Sequence, residues 1–174
     1  MITAEQARGF IDAIKGHRLE ALFMLAITTG ARQGELLGLT WDRIDLESGE
    51  VDIRHALKWV NGQFILGDTK RPSSKRRLAL TTIAVESLRR HRVRQAKQAL
   101  SLGASWNNEW NLVFTTTIGT PLSRTSVTRR EFRPLRDLAG LPDTLDFHDL
   151  RHVAASFALA QGLPITSVSE MLGH

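Results

Sequence analysis

Leu19, Leu22, Phe23, Ala26 and Ile27 recur at i, i+3, i+4, i+7 and i+8, the spacing of one apolar helix face, and predict an amphipathic helix over residues 19–27. Before it, Thr3 with Gln6 three positions on forms a capping box that opens a helix reaching residue 14. Gly30 ends the second helix, and a shorter third one is expected over 32–39. The period then changes to two: Val51-Asp52-Ile53-Arg54-His55 alternates as a half-buried strand does. Asn61-Gly62, between Trp59-Val60 and Phe64-Ile65, predicts a tight hairpin, and Pro72-Ser73-Ser74 a second turn before a strand over 77–80.

Helices resume after Thr81 or Thr82, with a long one to about residue 100. A loop over 103–111 and a short extended piece from Asn111 follow. Ser123 or Ser126 opens a helix reaching Ala139, which Pro134 kinks or splits. Asp146 precedes a helix over 147–161 whose buried stripe is Leu150, Val153, Ala154, Phe157 and Ala158. Pro164 opens a last short helix that Gly173 stops. The pattern predicts an α+β chain, mainly α, with a small three-stranded antiparallel sheet inserted.

At 174 residues and 42% hydrophobic, the chain can bury one good core, so a single domain over 1–174 is expected. Cysteine is absent, which excludes disulfides and thiolate metal sites and suits a reducing cytoplasm. No apolar run reaches membrane-spanning length, and the N-terminus lacks a signal-peptide shape. The net charge of +5 is uneven: residues 1–69 hold 7 Lys+Arg against 10 Asp+Glu, and residues 70–174 hold 16 against 8. Such asymmetry turns one face towards a polyanion, or makes a solvated basic surface.

The candidate chemistry is that of gripping a phosphate. His148 and Arg151 are i, i+3 neighbours in the first turns of the 147–161 helix, where backbone N–H groups and the helix dipole also favour an anion. Arg32 starts another helix directly after Gly30-Ala31, and its planar fork suits two phosphate oxygens. Glu35, one turn on, either orients Arg32 or forms a simple surface pair with it. Lys70 sits near the end of the predicted hairpin, placed to reach into a cleft or merely to keep an edge soluble.

Together these blocks resemble the catalytic domain of the tyrosine recombinases, the phage-integrase family of site-specific DNA recombinases. The resemblance rests on Thr-Gly-Ala-Arg-Gln-Gly-Glu-Leu-Leu-Gly-Leu-Thr-Trp at 29–41, Thr-Lys at 69–70, His-Asp-Leu-Arg-His at 148–152 and Leu-Gly-His at 172–174, in that order. The first and third are the specific ones. The resemblance implies the family's helical catalytic fold and a five-residue site. In it Arg32 and Arg151 clamp the scissile phosphate, Lys70 protonates the leaving 5′-oxygen, His148 shuttles a proton to or from the nucleophile, and His174 donates to a phosphate oxygen. It further implies a tyrosine nucleophile, a 3′-phosphotyrosyl intermediate, no metal or ATP, double-stranded DNA as partner, and a tetramer on DNA in the full-length parent.

The chain has no tyrosine. In the family the tyrosine follows the Gly-His pair, so the sequence reads as a catalytic domain cut before its nucleophile and lacking the N-terminal core-binding domain. It is expected to be a monomer that binds DNA without cleaving it. Basic runs give candidate DNA contacts at Arg71, Lys75, Arg76, Arg129, Arg130 and Arg133, with a further run at Arg89, Arg90, Arg92 and Arg94 that is either a contact or a solvated face. Two other readings stay open. One is a non-catalytic DNA-binding module. The other is a zinc hydrolase using His148 and His152 at i, i+4, against which stand Asp149 in place of a glutamate and the cation of Arg151 between the ligands.

Overall fold

A computed structural model of the chain describes residues 2–69 and 71–174. Helix α1 (Ala4–Ile14) carries the expected capping box, with Thr3 Oγ1 accepting from the Gln6 N–H and Gln6 Oε1 from the Thr3 N–H. It buries Ala7, Phe10 and Ile14 against α2 (Glu20–Thr29). Here the expectation of an amphipathic helix fails: Ala21 through Ile27 are all buried. Between Glu20 and Thr28 the helix has no polar residue, so it suits a central position, with α4 (Thr82–Leu102) and α7 (Asp149–Ala160) also packed against it. Its hydroxyls are satisfied internally, Thr28 donating to Met24 O and Thr29 to Leu25 O. Gly30, at φ 66°, closes it in the left-handed region.

Phe10, Phe23, Phe132 and Phe147 form an aromatic cluster within the core, with ring centroids 5.8–6.3 Å apart. The cluster anchors the approach to α7, because Phe147 immediately precedes His148. The sheet differs from the expected one in extent. Strands β1 (Ile44–Asp45), β2 (Glu50–Ile53) and β5 (Arg76–Ala79) make the three-stranded antiparallel sheet, in the order β1-β2-β5. The hairpin β3 (His55–Val60) and β4 (Gln63–Asp68) stands apart from it as a second sheet, separated from β2 at Arg54. Asn61 and Gly62 have φ of 50° and 78°, the pair of positive values a two-residue primed turn demands.

Short helix α3 (Gln33–Leu37) lies against β3 through Gly34 and its C-cap Gly38. A Cβ on Gly38 would sit 2.7 Å from Leu57 N and 2.9 Å from Ala56 C, both backbone atoms that cannot rotate away. Gly38→Ala is therefore expected to destabilise the fold by about 1–3 kcal/mol, the usual cost of overpacking. Thermal or denaturant unfolding measures it, and a change near zero would refute the close-packing role.

Residues 124–138 form one helical run: α5 (Arg124–Ser126), a π segment (Val127–Phe132) and α6 (Arg133–Leu138). Ser123 caps it. The expected disturbance at Pro134 takes the form of this wider turn, in which the Arg133 N–H reaches back to Thr128 O. In α7 the predicted stripe holds except at Phe157, which is exposed because no described element covers that side of the helix's last turns. Helix α8 (Ile165–Leu172) follows Pro164 and ends at Gly173, φ 74°. No helix among the described residues is long and apolar enough to cross a membrane.

Candidate active site

Arg32 occupies the N-cap of α3. Its backbone N–H donates to Glu35 Oε2 at 2.8 Å and its Nη1 to Glu35 Oε1 at 3.2 Å. Glu35 is 3% exposed, so it is the orienting partner rather than a surface pair. Burial alone would raise its carboxyl pKa, but hydrogen bonds and charge from Arg76 and Arg32 outweigh that and hold it below the usual range.

Arg151, one turn into α7, is 6% exposed and turns inward. Its Nη1 donates to Gly30 O at 2.7 Å, and its Nη2 to Leu172 O at 2.6 Å and towards His174 Nε2 at 3.2 Å. Gly30 permits this convergence, since a Cβ there would lie 2.5 Å from the Leu172 side chain. Burial, then the neighbouring charge of Arg32, lowers the Arg151 pKa to about 10. The site thus holds more positive charge than it can comfortably neutralise, which is the electrostatic condition for taking an anion.

His174 follows Gly173 at the end of α8. Desolvation and the charges of Arg151, Arg32, Arg76 and Arg71 hold its pKa below the ordinary imidazole value. Arg151 can only donate, so in the neutral ring Nε2 is the acceptor and the ring proton sits on Nδ1, where it can donate. His148, exposed at the N-cap of α7, is 5.8 Å ring to ring from His152. Among the described residues no three His, Cys, Asp or Glu side chains gather as a metal site, so His148 and His152 have no third ligand there.

An open cleft of about 1410 Å³ is lined by Arg32, His148 and His174 together with Arg71, Arg129 and Arg133. Arg151 reaches it from behind, through His174. Lys70 lies outside the described residues. Of the other candidate DNA contacts, Arg130 is exposed but off the cleft wall, and Lys75 pairs with Asp68 at 2.9 Å. Arg76 departs from the expectation: its side chain is 8% exposed and faces Glu35 instead of solvent. The run on α4 also lies away from the cleft. Arg89 binds Leu46 O, Arg90 binds Glu20, Arg94 binds His17 O, and Arg92 lies over the Trp41 ring.

The sequence offered Glu35 either as the group that orients Arg32 or as a surface pair, and the structure makes it the former, its N3 position letting the carboxylate reach back to the cap. What the sequence reading missed is the second partner of Glu35, Arg76. In a strand residues i and i+2 share a face, so Arg76 had to point the way of Leu78, which is buried.

All of this belongs to one family. The family model described as the phage integrase family matches residues 1–174, and the chain belongs to that family. It is 35% identical to a tyrosine recombinase XerC-like protein of Caldanaerobacter subterraneus subsp. tengcongensis, over 98% of this chain and 46% of that one. It is 35% identical to an integrase of Streptomyces ambofaciens, over 99% of this chain and 45% of the relative. In fold it is similar to the Tn1549 transposon integrase solved in complex with transposon right end DNA. The TM-score is 0.83 at 20% identity, covering 99% of this chain and 57% of that chain. The chain thus spans about half the length of the curated relatives it matches.

Proposed function

We propose that residues 1–174 are the catalytic domain of a site-specific DNA recombinase that cuts and rejoins strands through a 3′-phosphotyrosyl link. The observation that carries this reading is the convergence of Arg32, His148, Arg151 and His174, from three separate parts of the chain, around one basic cleft. Arg32 and Arg151 would neutralise the non-bridging oxygens of a phosphodiester, where charge builds in the pentacoordinate transition state. His174 would donate Nδ1–H to the same phosphate. The tyrosine oxygen would form its bond to phosphorus as the bond to the 5′-oxygen breaks. His148 would take the tyrosine proton and Lys70 would give one to the leaving oxygen. Rejoining reverses the step, so the phosphodiester bond energy is kept in the protein link.

None of the 174 residues is a tyrosine, so none of them is the nucleophile of this reaction. The full-length parent would act as a tetramer on DNA, in a bacterial or phage-infected cytoplasm. The chain alone is a monomer that binds double-stranded DNA and leaves it uncut. Fluorescence anisotropy on a labelled duplex tests this. Affinity should fall with salt at a slope of about −0.9 for each phosphate neutralised. Alanine at Arg71, Arg129 or Arg133 should each flatten that slope by about one. Salt-independent binding would overturn the DNA-binding reading, and a covalent protein–DNA adduct formed by this chain would overturn the claim that it leaves DNA uncut.

A further inference from the structure

Arg76 makes four hydrogen bonds to three segments of the chain. Nη1 and Nη2 fork onto Glu35 Oε1 and Oε2 at 3.1 and 3.0 Å, Nη1 also donates to Ser74 O at 2.7 Å, and Nε donates to Met171 O at 2.7 Å. Each Glu35 oxygen thereby accepts from one Arg76 nitrogen and one Arg32 nitrogen. On its other side the guanidinium sets the end of α8. Gly173 packs so closely that a Cβ would lie 2.8 Å from Arg76 Nη1. Arg151 holds the very next carbonyl, Leu172 O. Two buried arginines therefore fix consecutive carbonyls of one helix C-terminus, where cations are favoured, immediately before His174.

We infer that Arg76 is a positioning residue for the phosphate site, a clamp that sets Arg32 through Glu35 and His174 through Met171, so that both halves of the site meet. It touches no ligand itself. A buried pair kept only for stability would have no need of the bond to Met171 O. A lysine could neutralise Glu35, but its single ammonium cannot serve Glu35, Ser74 O and Met171 O in these directions. The inference rests on the phosphate-site reading above, and its test separates the two.

Inorganic phosphate is titrated into the full 174-residue chain while the His174 ring and arginine Nε–H signals are followed by NMR. Arg76→Lys and Arg76→Met should remain folded and weaken phosphate binding about tenfold, the lower end of what losing an outer supporting partner costs. Arg76→Lys, which keeps the positive charge, should also move the His174 titration, whereas in Arg76→Met the loss of a neighbouring charge moves it by itself and is not diagnostic. In the wild type, phosphate should shift the Arg76 Nε–H signal although that group is bonded to Met171 O. Arg32→Ala must lose binding for the site itself to stand. If Arg32→Ala is weakened while both Arg76 variants bind as the wild type does, the positioning role is overturned alone. If Arg32→Ala binds normally too, the phosphate site falls and the inference with it. Should neither Arg76 variant fold, the wild-type Nε–H signal decides: a shift supports the clamp and a fixed signal overturns it.

Discussion

Glu35→Ala is expected to destabilise the protein by about 3–5 kcal/mol, the cost of removing one partner from a buried ion pair. The carboxylate is 3% exposed and accepts from Arg32 N, Arg32 Nη1, Arg76 Nη1 and Arg76 Nη2. Without it, the Arg76 guanidinium stays buried beside Arg32 and Arg151 with nothing to offset three positive charges. Against a typical domain stability of about 5–15 kcal/mol, that is a large fraction. The pH dependence has a definite sign. The folded carboxyl is depressed below its ordinary value of 4.5, so its contribution is complete above that value and is lost as pH falls through the lower folded one. Denaturant unfolding from neutral to acid pH reads both effects. The alanine variant should lose the part of the acid destabilisation that comes from this group. A loss of under about 1 kcal/mol, as for a surface pair, would refute the hub.

What could be read in the sequence was whatever its own neighbours determine. The Thr3 cap, the Asn61-Gly62 turn, Thr81 and Gly173 all act within four residues, and each stands where the pattern puts it. The all-round burial of α2 was written in the unbroken apolar run Ala21–Ile27, of which five positions spaced like a helix face are only a part; that α4 and α7 supply the cover depends on distant parts of the chain. Phe157 shows the converse. Its spacing fits the α7 stripe, but nothing described lies over it.

The candidate site divides the same way. His148 and Arg151 stand out because one short motif puts an imidazole and a guanidinium at a helix start, and Arg32 because a glycine precedes it. The basic residues were harder, since charge says nothing about direction. Lys75, Arg76 and Arg77 look like one solvated run, yet the strand alternation turns Arg76 inward and Arg77 outward. Arg136, three residues after Arg133, is likewise turned inward. It donates to Asp143 O and Leu145 O and ties down the loop leading into α7.

Arg151→Lys should lower strand cleavage about 10²–10³-fold in any form of the protein that supplies a tyrosine, the range for losing one donor to a developing oxyanion. The substitution keeps the charge, so the loss would come from geometry. The guanidinium spans Gly30 O, Leu172 O and His174 Nε2 at once, and a single ammonium cannot. Whichever carbonyl loses its donor is buried, at about 1–3 kcal/mol each, so some stability goes as well. His174 then loses the contact that fixes its tautomer, and its Nδ1–H no longer points reliably at the phosphate. Duplex binding, spread over Arg71, Arg129 and Arg133, should fall much less than cleavage. Single-turnover cleavage alongside anisotropy on the same duplex separates the two. If Arg151→Lys cleaves within about threefold of the wild type, well short of that oxyanion-donor loss, the fork is not what the chemistry needs.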